Sequence, residues 1–134
     1  MQTFGDQLWQ VNLPFGWVCE QEPESALLYH PDGAGTLQIS AIQQDDAITA
    51  ADLRVLAAEH IDAGAQADDV ELGAFSGFSL SYDADEEYWR EWYLRCGSTL
   101  LFATYNCALD DEGKEDDTVE LILGTLSAGG ANAL

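Results

Sequence analysis

The chain has 134 residues, 47% of them hydrophobic, which is room for one core and too little for two comfortable domains. Twenty-five Asp and Glu stand against four Lys and Arg, a formal net charge of −21 at pH 7. That balance argues against nucleic acid and anionic membrane as partners and favours a basic protein, although it also serves solubility alone.

The N-terminal Met1–Gln7 stretch lacks the basic and apolar regions of a signal peptide, and no run is long and apolar enough to span a bilayer. Cys19, Cys96 and Cys107 form no Cys-x-x-Cys pair. An odd count without a secretion signal implies reduced thiols and a cytoplasmic protein. If Tyr88–Cys107 folds back on itself, Cys96 and Cys107 are expected near each other.

Trp9, Val11 and Leu13 alternate with polar residues and predict a first strand, broken by Pro14 and Gly16. Trp17–Glu20 resumes in extended form, and Ala26–Tyr29 is a short apolar strand. His30–Gly35 is rich in turn formers. Thr36–Gln43 alternates, with Leu37, Ile39 and Ala41 on one face.

Thr49 followed by Asp52 has the spacing of a capping box. Leu53, Leu56, Ala57, His60 and Ile61 recur at helical spacing and Gly64 suits a C-terminal cap, predicting a helix over Ala50–Ala63. His60 falls on its apolar face, where a packed histidine with one satisfied nitrogen is expected. A second β run begins near Val70, interrupted by Gly73 and Gly77, and leads to an acidic loop at Asp83–Glu87.

The Tyr88–Cys107 stretch predicts a long β-hairpin that turns within Cys96–Ser98. Period two places Tyr88, Arg90, Trp92 and Leu94 on one face and Trp89, Glu91, Tyr93 and Arg95 on the other. Both arginines are expected to pair with carboxylates. A second amphipathic helix follows, with Asp117 as cap and Val119, Ile122, Leu123 and Leu126 as its buried stripe. The order predicts an α+β domain over residues 1–128: an antiparallel sheet of about six strands with two main amphipathic helices packed on it. Residues 129–134 are expected to be a flexible tail.

The Leu13-Pro14-Phe15-Gly16-Trp17 segment and the Leu37-Gln38-Ile39-Ser40 strand, with the later helix, hairpin and terminal helix, resemble the PsbP-like superfamily. It includes the photosystem II extrinsic protein, a nuclear-import Ran-binding factor and bacterial secretion-effector chaperones. The resemblance implies this fold and a lean towards protein binding, and it carries over no site residue.

No catalytic or cofactor motif is present: there is no Gly-x-Ser-x-Gly elbow and no phosphate-binding glycine loop. Asp83, Asp85 and Glu87 are spaced like the opening of a calcium loop, but Tyr88 and Leu94 stand where that loop needs Gly and Glu, so no metal is expected. The reading is therefore no enzyme and no cofactor. It is a cytoplasmic protein-binding module, such as an immunity protein or a chaperone for a basic secreted effector. The expected partner-binding residues are Trp89, Tyr93 and Arg95, with Asp83, Asp85 and Glu87 beside them. The alternative is a homodimeric or structural domain whose acidity serves only solubility; a small-molecule or metal-binding enzyme is the third reading.

Overall fold

In the computed structural model, residues 2–128 are described; the tail expected at 129–134 lies outside them. Ten strands and three α-helices follow in the order β1 (Gln2–Gly5), β2 (Trp9–Leu13), β3 (Val18–Gln21), β4 (Ala26–Tyr29), β5 (Gly35–Gln43), α1 (Ala50–Leu56), α2 (Ala58–Asp62), β6 (Asp68–Leu72), β7 (Phe75–Ala84), β8 (Glu87–Cys96), β9 (Thr99–Ala108), α3 (Asp116–Gly124) and β10 (Ser127–Ala128). The α+β class is as expected. The sheet is larger than expected: seven antiparallel strands in the order β3-β4-β5-β9-β8-β7-β6, with a separate three-stranded sheet β1-β2-β10. Four-residue strands such as β1 and β3 are too short for alternation to declare them, and β10 exists only through its pairing with β2.

The centre of the sheet is the β8–β9 hairpin, paired from Glu87↔Ala108 to Cys96↔Thr99. Its turn is Gly97-Ser98, with Gly97 at φ 60°, as a two-residue turn led by glycine requires. This pairing corrects the expectation for the thiols. Cys107 lies opposite Tyr88, so almost the whole of β8 separates it from Cys96, roughly 25 Å at about 3.3 Å per residue. All three cysteines are free.

The two faces of the sheet bury different partners. Trp92, Leu94, Leu101, Ala103, Tyr105, Leu37 and Ile39 meet Trp9, Val11 and Leu13 of β2 and Val119, Ile122 and Leu123 of α3. Gly73 holds the β6–β7 turn against this layer at φ 62°; a Cβ there would stand 1.9 Å from the Leu126 carbonyl oxygen. On the opposite face Phe78, Leu80 and Tyr93 pack against Ile48, Leu53 and Ala57.

The capping box forms: the Thr49 hydroxyl accepts from the Asp52 amide at 3.1 Å, and the Asp52 carboxylate accepts from the Thr49 amide at 2.9 Å. The single helix expected over Ala50–Ala63 is broken at Ala57 into α1 and α2. The segment has neither Pro nor Gly before Gly64, so no residue marks the break in the sequence. The stripe expected in the last helix is buried as read. Its start differs: α3 begins at Asp116, and the preceding Glu115 caps no amide of the helix. Its carboxylate accepts instead from the Gly35 amide at 2.8 Å and the Tyr105 hydroxyl at 2.7 Å, tying α3 to the sheet.

The expected acidic loop at Asp83–Glu87 is a two-residue turn. Ala84 pairs with Glu87, and Asp85 and Glu86 sit at φ 55° and 66°. Side chains other than Gly, Asn and Asp are disfavoured there by about 1 kcal/mol or more. Replacing Glu86 with Gly is therefore expected to stabilise the fold by about 1 kcal/mol, a rise of about 4 °C in Tm by calorimetry. An unchanged or lower Tm would show that the turn carries no such strain.

Candidate functional site

The sheet face under α1 and α2 is only partly covered. The two helices are short, seven and five residues, and they lie over β7 and β8. The neighbouring part of that face, on β9 and β5, has no helix above it, and two openings flank α1.

Cross-strand aromatics build the floor. Phe78 pairs with Tyr93, and Tyr93 with Phe102, across β7, β8 and β9. The rings lie 5.2 Å and 5.0 Å apart, the first pair stacked and the second tilted by 54°. At the Phe102 end the row runs into an apolar groove of about 330 Å3, walled by Ile42, Leu56 and Leu100. Ile42 is 53% exposed and Leu56 55%; Val55, beside Leu56 on α1, is 75% exposed. Exposed apolar residues scattered singly need no explanation, but Ile42 and Leu56 line the same concave surface.

At the Phe78 end the row meets a second cleft, between α1 and strands β6 and β7. Arg54 lies over the Phe78 ring with its guanidinium 5.2 Å from the centroid. Arg95 lines the same cleft and donates from Nη1 to the Ile48 carbonyl at 3.0 Å.

Between these openings lies a buried polar cluster. Glu91 is 6% exposed. Its Oε2 accepts from the Tyr82 hydroxyl and its Oε1 from the Tyr93 hydroxyl, both at 2.6 Å. His60 Nε2 is 3.3 Å from Oε1, and the imidazole stacks on Tyr82 with centroids 4.5 Å apart. Both carboxylate oxygens are thus engaged inside the protein, which leaves Glu91 poorly placed to take a proton from a substrate. The arrangement anchors α2, which buries no residue of its own, to the sheet.

Burial, and next the hydrogen bond to Glu91, raise the pKa of both Tyr82 and Tyr93 well above the usual phenol value; Tyr105 is raised by burial and by its bond to Glu115. Folding thus holds these phenols protonated. Their contribution is whole below the unfolded value near 10 and is lost as pH rises above it.

The residues read as partner-binding are placed as follows. Trp89 is half-buried and stacks on Tyr82 at 6.4 Å. Tyr93 is 5% exposed and lies beneath the groove. Arg95 lines the second cleft. Asp83 and Asp85 are exposed at the β7–β8 turn, and Glu87 accepts from Asn106 Nδ2 at 2.8 Å. The face assignment of β8 holds, but Glu87 and Arg95 stand at opposite ends of the strand, so the six do not form one patch. Arg90 is paired as expected, with Asp116 at 3.5 Å and Glu120 at 3.2 Å. Arg95 has no carboxylate within ion-pair distance among the described residues, contrary to expectation. Its nearest polar partner is a main-chain carbonyl.

Sequence reasoning missed the groove, the Arg54 cleft and the Glu91 anchor. Only Glu91 left a trace, a carboxylate flanked by Trp89 and Tyr93 on an inward face. The groove depends on β5 lying beside β9, which no local pattern declares.

No protein-family model matches the chain, and no curated protein sequence matches it. Solved structures do. A protein of Bacteroides thetaiotaomicron superposes with a TM-score of 0.69 at 21% identity over 94% of this chain and 47% of its own. The present chain thus spans about half the length of that protein. LpqN, described as involved in cell envelope biogenesis of Mycobacterium tuberculosis, superposes with a TM-score of 0.64 at 16% identity, covering 96% of this chain and 90% of LpqN. A protein of the superfamily named from the sequence is also among the matches. The solution structure of cyanobacterial PsbP from Synechocystis matches over 95% of this chain and 91% of its own, at 12% identity and a TM-score of 0.48. At these identities the likeness is one of fold, and the argument for it rests on the first two structures. Among the described residues no helix is long and apolar enough to cross a membrane.

Two outcomes test the anchor. Glu91→Ala leaves the buried Tyr93 phenol and the half-buried Tyr82 phenol without their acceptor and is expected to cost about 3 kcal/mol in urea unfolding. Stability is also expected to fall as pH rises above about 10, with most phenolate absorbance appearing only as the chain unfolds. Ionisation of these tyrosines at ordinary values in the folded state would contradict their burial.

Proposed function

We propose that the protein is a binding module for another protein, taking an apolar segment of a basic polypeptide into the groove beside α1. The observation that carries this reading is the groove itself: adjoining Ile42, Leu56, Leu100 and Phe102 left open on a surface otherwise rich in carboxylates. Apolar side chains of the partner would supply affinity there, while the charge of −21 would steer a cationic chain towards it. Exposed acids follow the groove's walls in sequence, Asp45 and Asp46 just after β5 and Glu59 three residues beyond Leu56. A chaperone or immunity protein for a basic secreted effector, acting in the cytoplasm without catalysis or cofactor, fits this chemistry. The homodimer reading is less favoured, because two copies of so acidic a chain repel each other.

The test is a pair of labelled peptides that share a Leu-rich centre, one flanked by Lys and one by Glu, measured by fluorescence anisotropy. The Lys-flanked peptide is expected to bind, with an association rate that falls as salt is raised. Combining Ile42→Asp with Leu56→Asp should weaken binding by about tenfold or more with little change in Tm, since both side chains are already half exposed. Equal binding of both peptides, or indifference to the double variant, would refute the proposal.

A further inference from the structure

Two of the four basic side chains, Arg90 and Lys114, are in ion pairs. The other two, Arg54 and Arg95, have no carboxylate within ion-pair distance among the described residues, and both line the cleft on the other side of α1 from the groove. In a chain with twenty-five acids, two arginines left without such partners in one depression are unexpected. Both are also held in place. Arg95 is fixed by its bond to the Ile48 carbonyl, and Arg54 rests on the Phe78 ring. Each keeps donors free, and guanidinium groups suit a carboxylate.

The cleft has a second polarity. Asp69 and Glu71, both exposed, line it from β6, and Ala50 and Val70 contribute apolar surface between the charges, above a floor closed by the buried Leu53 and Phe78. A multiply charged anion such as a phosphate would be repelled by those acids and by the field of the whole chain. A ligand with one carboxylate, one ammonium and an apolar body meets all three features at once. The volume, about 320 Å3, is at the small end of ligand sites.

The geometry points to this cleft as a binding site for a free α-amino acid with an apolar side chain. The carboxylate faces Arg54 and Arg95, the ammonium faces Asp69 and Glu71, and the side chain lies against Ala50 and Val70. This assignment does not depend on the protein-binding reading, because the groove lies on the other flank of α1.

The experiment is a titration of the isotope-labelled full chain followed by amide chemical shifts, with L-leucine, L-leucinamide and N-acetyl-L-leucine as probes. L-leucine at millimolar concentration is expected to shift the amides of Ser76, Gly77 and Phe78. Leucinamide lacks the carboxylate and acetyl-leucine the ammonium, and each should bind at least about tenfold more weakly. Arg54→Gln is exposed and should fold normally; it is expected to weaken leucine binding by about tenfold. The inference is overturned if leucine shifts none of these amides, if leucinamide binds as well as leucine, or if Arg54→Gln binds like the parent chain.

Discussion

A seven-stranded sheet has two faces to keep dry, and here the covers are unequal. One face lies under β2 and α3, and from β4 to β8 it is closed: Leu28, Leu37, Ile39, Leu94 and Leu101 are wholly buried. The other face has only α1 and α2, about one strand pair wide. Because a strand alternates its side chains, the central hairpin cannot be apolar on one face only and still pack both. The open remainder of the second face, rather than a specialised loop, is what produces the groove and the cleft on either flank of α1.

The charge of the chain sets how its few cations are used. Arg90 is placed over the Trp92 ring, 4.7 Å from the centroid, and bridges β8 to the acids of α3. Lys114 closes a local pair with Asp111. Both have structural work, the first across elements and the second within a turn. Arg54 and Arg95 are bound to a ring and a main-chain carbonyl, so their charge is left uncompensated at close range. Buried guanidinium groups normally acquire carboxylates. Arg54 is exposed and Arg95 half-exposed, which relaxes that demand, and Asp69 and Glu71 on the same cleft give it charge of both signs.

Much of the fold was legible in the residues, and for local reasons. The capping box at Thr49 and Asp52, the inward set Leu37–Ile39, the stripe of Val119, Ile122, Leu123 and Leu126, and the two faces of β8 follow from spacing alone. What was hidden depends on partners distant in sequence. Glu115 looks like any surface acid until β5 and β9 bring the Gly35 amide and the Tyr105 hydroxyl to it. His60 and Glu91 meet only because α2 lies over β8. The Cys96–Cys107 expectation failed for a simpler reason: residues that end the two arms of a hairpin at different ends are near in sequence and far in space.

The outermost strands have one more property. Both edges of the large sheet are short, and both are acidic: β6 carries Asp68, Asp69 and Glu71, and β3 carries Glu20. Unpaired main-chain donors and acceptors on an edge invite the strand of another molecule, and carboxylates of like sign on both prevent such growth. Such edge acidity keeps a half-strand protein from templating itself into fibres. Neutralising these few side chains, by mutation or by acid, would expose a sheet with two free ends.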